Sequence, residues 1–280
     1  MINSQEIKNE LELLSALRTI AQSYEEISVS RMKKTRDSVA KTADFLSGLS
    51  GIYADVKSRQ AELKDAEQEK AKPRLPLVSV LLSANTKLYG DIIPKVYRLF
   101  LSRIKSEKTD IVIIGRLGQG MYQAEKDKQK FTYFDLPDSE LTLESLKPIA
   151  NFLLKYEKVD VFFGKYQTLL SQEAAFSSLT EGSYQPKNRQ PKVGHFEFEP
   201  SYNKLLAFFE RQFFVSLLKQ TTSESQLAKY ASRVRSMELA LQNINEHDIE
   251  VKVLANRAKR ELLDRKQKDI VSKIEFLYGE

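Results

Sequence analysis

Cysteine is absent from the 280-residue sequence, which excludes disulfide bonds and thiolate chemistry. The two histidines, His195 and His247, belong to no pattern of metal ligands and to no Ser-His-Asp arrangement, so we expect both to be structural or solvent-facing. No run of about 18 apolar residues occurs, so no membrane-spanning helix is predicted. The polar start of the chain, MINSQEIKNE, does not resemble a secretion signal, and a cytoplasmic location is favoured.

Glycine and proline are missing from residues 201–278. A strict 3-4 spacing there predicts a left-handed coiled coil, because only a 3.5-residue repeat keeps a stripe facing its partner. At 1.5 Å per residue the helix would be on the order of 110 Å long, too long to bury its stripe inside one compact domain. The positions with this spacing are Leu227, Tyr230, Val234, Met237, Leu241, Ile244, Asp248, Val251, Ala255, Ala258 and Leu262. All of them except Asp248 suit an apolar seam.

Residues 3–70 supply the second long helix that such a seam requires. Gly48 and Gly51 are the only breakers before Pro73, and the helix could bend or fray at these glycines. We predict that it pairs antiparallel with the C-terminal helix. Its first apolar stripe is Leu13, Leu17, Ile20, Tyr24 and Ile27, and its second is Val39, Leu46, Leu49, Tyr53 and Val56.

The middle of the chain has the pattern of an α/β domain. Short apolar runs predict strands at 77–82, 111–114, 131–134 and 159–163, the last extended through 166–170, with a final strand at Phe196 and Phe198. Helical periodicity covers 91–105 and 141–156. This alternation predicts a largely parallel, Rossmann-like sheet. The predicted domains are therefore an N-terminal coiled-coil helix (1–72), a central α/β domain (73–200) and a C-terminal coiled-coil helix (201–280).

One glycine-rich turn is a candidate for phosphate binding. Residues 115–120 (GRLGQG) follow a predicted buried strand, but the order is GxxGxG and no Lys-Ser/Thr pair follows as a P-loop requires. A plain strand-to-helix turn is the favoured reading, and nucleotide binding is the alternative. No general acid–base pair stands out. The sequence thus predicts no catalytic residue, no cofactor-binding residue and no metal ligand.

The charge pattern points to an acidic partner. The net charge is +6 and the isoelectric point is near 9.1. Residues 31–41 hold five bases against Asp37, and residues 252–268 hold seven bases against two acids, whereas residues 1–30 hold five acids and two bases. An acidic protein surface and nucleic acid are both candidates. No aromatic residue accompanies the 252–268 bases, which disfavours nucleic acid. A solvated face that keeps the helices soluble is the simplest alternative.

Four short stretches carry a resemblance to a known family. They are residues 110–118 (DIVIIGRLG), similar to the family's DLVVIGRKG; 83–90 (SANTKLYG), at the place of a GLCGG-like turn; 196–200 (FEFEP), similar to FEPD; and 256–260 (NRAKR), similar to Asn-Lys-Ala-Arg-Gln. Residues 31–34 (RMKK) are also similar to a Lys-Leu-Arg-Arg segment. In this order and spacing they resemble the gamma subunit of rotary F-type ATP synthases over nearly the whole chain.

The chain departs from that family at three places. Residues 23–26 (SYEE) stand where the family has a basic Lys-Ala-Met-Lys-Met segment, and Asp91 replaces a glycine of the GLCGG-like turn. Residues 241–244 (LQNI) stand in place of Thr-Asp-Asn-Ala. Because these surfaces touch the stator in the family, the departures fit either a divergent synthase or a specialised paralogue of the rotary machine.

The resemblance implies a non-catalytic rotor shaft that needs no cofactor. Its implied partners are the alpha and beta subunits of the catalytic hexamer, an epsilon-like subunit and the membrane ring of c subunits, at the cytoplasmic face of the cell membrane. The complex would be a proton-translocating ATP synthase. The predicted stator contacts are Arg31, Lys33, Arg233, Lys259 and Arg260, and the predicted rotor seam is Val234, Met237, Leu241, Ile244 and Val251. Two other classes remain open, a basic coiled-coil scaffold or nucleic-acid-binding protein and a small nucleotide-binding α/β enzyme with helical arms.

Overall fold

The computed structural model describes residues 4–63, 75–126, 129–139, 141–179 and 202–278. The chain forms two compact units, one of residues 1–27 and 234–280 and the other of residues 28–233. The predicted domain boundaries at 72/73 and 200/201 lie outside the described residues. The same holds for His195, for the predicted strand at Phe196 and Phe198 and for the FEFEP stretch.

The two long helices are α1 (Ser4–Leu63) and α5 (Tyr202–Tyr278). α1 is helical through Gly48 and Gly51. In the unit of residues 28–233, the Tyr53 ring lies 5.3 Å from the Phe213 ring, and Arg31 hydrogen-bonds to Tyr230. Because a lower number on α1 meets a higher number on α5, the two helices are antiparallel, and the predicted pairing is confirmed.

In the unit of residues 1–27 and 234–280, α1 also packs on α5. Ile7, Leu14 and Val251 form its buried apolar cluster. Asp248, the one charged residue in the predicted seam, accepts hydrogen bonds from Arg18 at 3.3 Å and from Lys252 at 2.8 Å. These two cations explain how the α5 seam tolerates a carboxylate.

The first predicted stripe of α1 does not form the contact with α5. Leu13, Leu17, Ile20, Tyr24 and Ile27 are all at least 37% exposed. The buried positions are instead Ile7, Leu14 and Ala21, seven residues apart. The sequence could not distinguish the two phases, because both repeat every seven residues and lie one residue apart. Leu262, the last residue of the predicted α5 seam, is also 49% exposed, one turn beyond half-buried Ala258.

The α/β domain is built on a five-stranded sheet of order β3-β2-β1-β4-β5. The strands β1 to β4 are parallel to one another, and the edge strand β5 is antiparallel to β4. This arrangement confirms the predicted Rossmann-like fold. The strands are β1 (Leu75–Leu82), β2 (Asp110–Ile114), β3 (Phe131–Phe134), β4 (Tyr156–Tyr166) and β5 (Gln172–Ser178); the shorter helices are α2 (Ile92–Ser106), α3 (Arg116–Gln123) and α4 (Leu143–Leu153).

Alternate side chains of the strands enter two apolar cores. On one face, Val80 packs in a cluster with Leu146 of α4 and Leu218 of α5. On the other face, Leu81 packs with Phe100 of α2 and Tyr122 of α3. Both faces of the parallel sheet are therefore covered, as the continuous apolar runs of its strands require.

β4 and α4 differ most from their predicted extents, and β5 is an additional strand. β4 ends at Tyr166, because the Gln167 and Thr168 N–H groups both donate to the Ser171 carbonyl and turn the chain into β5. The short edge strand β5 was not predicted, because its sequence, QEAAFSS, has no apolar alternation. α4 begins only after Thr142, whose hydroxyl accepts the Ser145 N–H at 3.2 Å as an N-cap.

None of the described helices has a segment long and apolar enough to span a membrane.

Candidate functional site

A cluster of charged and polar side chains joins α5 to the carboxyl edge of the sheet. β1 ends there in the loop 83–90, and Asp138 lies beyond the end of β3. α5 crosses this edge, and its residues 225–234 are all buried. We call the set of contacts made by Lys229, Tyr230, Ser232 and Arg233 with Asp138 and the loop 83–90 the clasp.

Asp138 is the centre of the clasp. One of its carboxylate oxygens accepts the backbone N–H groups of Asn85 and Thr86, each at 2.9 Å, and the Thr86 hydroxyl at 3.1 Å. Its other oxygen lies 3.3 Å from the Lys229 ammonium. Burial raises the pKa of Asp138, but the Lys229 charge and the two N–H groups outweigh this effect and hold the pKa below its ordinary value.

Lys229 is the buried cation of the clasp. Its side chain is 8% exposed, and its ammonium donates to the Ser83 carbonyl at 3.0 Å as well as to Asp138. Burial lowers the pKa of Lys229, and the Asp138 charge opposes this shift. An ammonium in this position needs the carboxylate, because a buried unpaired charge is costly.

Arg233 binds the loop 83–90 that follows β1. Its guanidinium donates to the Leu88 and Lys87 carbonyls at 3.1 and 3.0 Å and to the Thr86 hydroxyl at 3.2 Å. It also stacks 3.8 Å from the centroid of the Tyr89 ring. This planar, multidentate binding suits arginine and not lysine.

Tyr230 and Ser232 complete the clasp. The Tyr230 hydroxyl donates to the Asp138 carbonyl and is also hydrogen-bonded to Arg31 of α1. The Ser232 hydroxyl donates to the Tyr89 carbonyl at 2.8 Å. Through these bonds α1, α5 and the sheet edge share one hydrogen-bonded network.

The glycine-rich turn is used for packing within the chain. The Arg116 N–H donates to the Asn85 side chain and the Leu117 N–H donates to the Ala84 carbonyl, both at 2.9 Å. A Cβ on Gly118 would lie 2.7 Å from the Ser83 Cβ. The first two N–H groups of α3, which a phosphate would need, are thus already bonded.

α5 also occupies the place where Rossmann-like sheets bind their ligands. That place is the crevice at the carboxyl ends of the strands where the strand order reverses, here between β1 and β4. Lys229 binds the end of β1, and a Cβ on Gly164 of β4 would lie 3.3 Å from the Ala228 Cβ. These contacts disfavour the nucleotide-binding alternative.

The residues predicted to contact a stator have two different environments. Lys33, Lys259 and Arg260 are exposed, and Arg31 is half-buried beside Tyr230. Arg233 is 4% exposed because the clasp holds it. Of the predicted rotor-seam residues, Val234, Met237 and Val251 are buried, and Leu241 and Ile244 are half-buried. Contact with a stator stays a prediction for all five cations.

Sequence reasoning missed both Asp138 and Lys229. The two residues are 91 positions apart in the sequence, and each lies in an ordinary loop or helix, so no sequence motif connects them. The available signal was the run of small and polar residues at 221–226 (TTSESQ), an unusual composition for a helix that must bury all its faces.

His247 is the centre of a second cluster of charged side chains, which unlike the clasp is exposed and lies in the unit that contains residues 1–27. Its ring nitrogens lie 2.9 Å from Glu10 and 3.3 Å from Glu250. Hydrogen bonds to Glu10 first and to Glu250 second raise the pKa of His247 above its ordinary value. Among the described residues no group of three or more such side chains is arranged to hold a metal ion. The contact of His247 with Glu10 links α5 to α1.

Comparison with known proteins places the chain in a family. The sequence profile described as ATP synthase matches residues 3–275. The ATP synthase gamma chain of Mesoplasma florum is 22% identical over 292 residues, with 100% of both chains covered. That of Ruthia magnifica is 19% identical over 282 residues, covering 97% of this chain and 98% of the relative.

Solved structures share the fold. A structure of the Euglena gracilis mitochondrial ATP synthase with its c-ring, in rotational state 3, contains a chain that matches with a TM-score of 0.63 at 14% identity, covering 99% of this chain and 96% of that one. The rotor of the same synthase in rotational state 1 matches with a TM-score of 0.57 at 16% identity, covering 93% and 100%. The resemblance indicated by the short motifs is confirmed, and the chain belongs to the ATP synthase family.

Proposed function

We propose that this chain is the central rotor shaft, the gamma-type subunit, of an F-type ATP synthase. The observation that carries the proposal is the clasp, which bonds a 77-residue helix to the edge of a sheet while the same helix pairs with α1. Full-length relatives named ATP synthase gamma chain support it, as does the likeness to a chain in the rotor of the Euglena gracilis mitochondrial ATP synthase.

A shaft of this kind performs no bond chemistry itself. Its orientation favours different open and closed states of catalytic subunits that are otherwise equivalent, which is a coupling free energy between rotation and nucleotide affinity. Transmitting that coupling requires that α5 not slip against the α/β domain. The charge-assisted bonds of Lys229 and Arg233 resist such slipping.

The proposed partners follow from the gamma-type assignment. They are the alpha and beta subunits of the catalytic hexamer, an epsilon-like subunit and a membrane ring of c subunits that carries protons. The chain would lie peripherally at the cytoplasmic face of the membrane. Of the five predicted stator contacts, Arg31, Lys33, Lys259 and Arg260 are proposed to face acidic loops of the hexamer. Arg233, which the clasp holds at 4% exposure, stays a prediction.

Replacing Lys259 with alanine tests the proposed stator contact. Exposed ion pairs are worth about 0.2–1 kcal/mol each, so we expect ATP synthesis by the assembled complex to fall by up to about fivefold with no change in thermal stability. Lys105→Ala, at an exposed lysine of α2, is the matched control and should leave synthesis unchanged. If the Lys259 variant synthesises and hydrolyses ATP at the same rates as the wild type, Lys259 does not contact the stator.

The rotor assignment itself is tested by purifying the tagged chain from its own cells in mild detergent and identifying the co-purifying chains by mass spectrometry. We expect two P-loop subunits, each in about threefold excess, because three copies of each surround one shaft in the proposed assembly. Their identities, with those of any ring subunits, would distinguish a synthase from a specialised paralogue. Recovery of nucleic acid, or of no P-loop subunit, would overturn the proposal.

A further inference from the structure

A cleft lies between α1, α5 and the start of α4, inside the unit of residues 28–233. Its volume is about 540 Å³, within the range of pockets that hold small molecules. The lining comes from residues 31–38 of α1, from residues 139–142 before α4 and from residues 223–226 of α5. Leu141 is the single apolar side chain among the nine described residues that line it. We call this site the polar cleft.

The charges of the polar cleft are all positive. Arg31 and Lys34 lie one helical turn apart on the same face of α1, and both line the cleft. The Arg31 guanidinium is hydrogen-bonded to Tyr230, which fixes its position and uses one of its five N–H donors. Thr142, the N-cap of α4, brings the positive end of that helix to the same cleft. None of the described lining residues is a carboxylate, so the site attracts anions.

Two buried polar side chains of α5 complete the polar cleft. Ser223 and Gln226 are 2% and 4% exposed, and their spacing of three places them on one face of the helix. Within the part of the chain that the structure describes, neither side chain is hydrogen-bonded, whereas the neighbouring Thr222 hydroxyl donates to the Leu218 carbonyl at 2.7 Å. Buried polar groups in native proteins nearly always have a partner. The polar run at 221–226 therefore points to a partner that this chain does not supply.

We propose that the polar cleft binds a small diphosphate-type anion. The arginine fork matches two phosphate oxygens, the lysine adds a point charge, and the serine hydroxyl and glutamine amide donate to further oxygens. Two cations one turn apart suit two linked phosphate groups better than one. The site is separate from the glycine-rich turn at 115–120. The inference goes beyond the rotor assignment and does not rest on it, because Lys34, Ser223 and Gln226 belong to no proposed stator contact.

Titration of the purified full-length chain with sodium pyrophosphate tests the inference. We expect saturable binding to one site by isothermal titration calorimetry, with a Kd below about 1 mM at a salt concentration of about 0.15 M. Because the ligand binds the folded chain, the unfolding midpoint should rise with its concentration. Hydrogen exchange should slow at the amides of residues 142–146 and 222–226, which locates the bound anion.

Three variants separate the polar cleft from general charge. Lys34→Gln should weaken pyrophosphate binding at least fivefold. Lys41→Gln is the matched control, because this exposed lysine lies about 10 Å further along α1, beyond the screening length, and should change the Kd by less than about twofold. Ser223→Ala should weaken binding about two- to threefold without lowering the unfolding midpoint of the free chain, because its hydroxyl makes no bond to a described residue.

Three results would overturn the inference. They are the lack of saturable binding, equal losses in the Lys34 and Lys41 variants, and binding of succinate as tight as that of pyrophosphate, which would indicate a carboxylate site. Co-purification of P-loop subunits without pyrophosphate binding would support the rotor assignment and overturn this inference. Pyrophosphate binding without P-loop subunits would do the reverse.

Discussion

Asp138→Asn is expected to destabilise the α/β unit by about 3–5 kcal/mol, because the variant leaves the Lys229 ammonium buried without a counter-charge. For a unit of this size the loss corresponds to a fall in the unfolding midpoint of about 6–20 °C. Urea unfolding followed by the near-ultraviolet circular dichroism of the tyrosines measures the free energy. Hydrogen exchange at the Asn85 and Thr86 amides, which donate to Asp138, shows whether the loop after β1 opens.

The double variant Asp138→Asn with Lys229→Met measures how much of the cost of losing Asp138 comes from leaving Lys229 unpaired. Removing both charges should cost less than removing Asp138 alone, since no unpaired ion remains. Lys95→Met is the control, because its ion pair with Asp91 is exposed and worth at most about 1 kcal/mol. Costs that simply add would show that Asp138 acts through its loop hydrogen bonds and not through Lys229.

The same pair predicts the direction of a pH effect. Since the folded-state pKa of Asp138 is lowered, its contribution is present above the unfolded value of about 3.9 and is lost as the pH falls through the folded-state value. Wild-type stability should therefore decline in acid below that unfolded value. The Asp138→Asn chain should lack this part of the decline.

Gly115→Ala is expected to cost at least about 3 kcal/mol, because two effects add at this residue. Its φ of +101° is a conformation that other residues rarely adopt. A Cβ would also lie 2.8 Å from the Ala84 nitrogen and 3.0 Å from the Ala84 carbonyl atoms, which are backbone and cannot rotate away. The free energy of urea unfolding measures the cost.

Gly120→Ala is the matched control within the same glycine-rich stretch. A Cβ at Gly120 meets no atom within 4 Å, and the residue lies inside α3, so alanine should stabilise the helix by up to about 1 kcal/mol. Similar effects of the two substitutions would contradict the assigned backbone role of Gly115. A nucleotide-binding turn would instead show its largest effect as a loss of ligand affinity, at unchanged stability.

The hydrophobic patterns of the sequence predicted the helices and the central strands correctly. The 3-4 spacing of α5 predicted the helix pair, and the buried runs at 77–82 and 111–114 predicted β1 and β2, because both patterns record which face is covered. The sequence did not show which of two apolar stripes of α1, the one through Leu13 or the one through Leu14, packs against α5. Both stripes are apolar, and which of them meets α5 is decided by packing between segments more than 200 residues apart.

The clasp was beyond sequence reasoning for a different physical reason. A buried lysine is uncommon, and Lys229 looks like an ordinary helix residue until the fold places it beside Asp138. Arg233 was predicted as a stator contact from the resemblance to the family, and its burial in the clasp was not predicted. The loop carbonyls at Lys87 and Leu88 that bind it carry no sequence signal at all.

The pairing of the two chain ends has a consequence during biosynthesis. The contact between Glu10 and His247 spans 237 residues, so the first helix leaves the ribosome on the order of 10–50 s before its partner exists, at about 5–20 residues per second. For that interval both apolar phases of α1 are open to water, the one that α5 later covers and the one it never covers. The pairing of the two chain ends therefore protects α1 from aggregation only after nearly the whole chain has been synthesised.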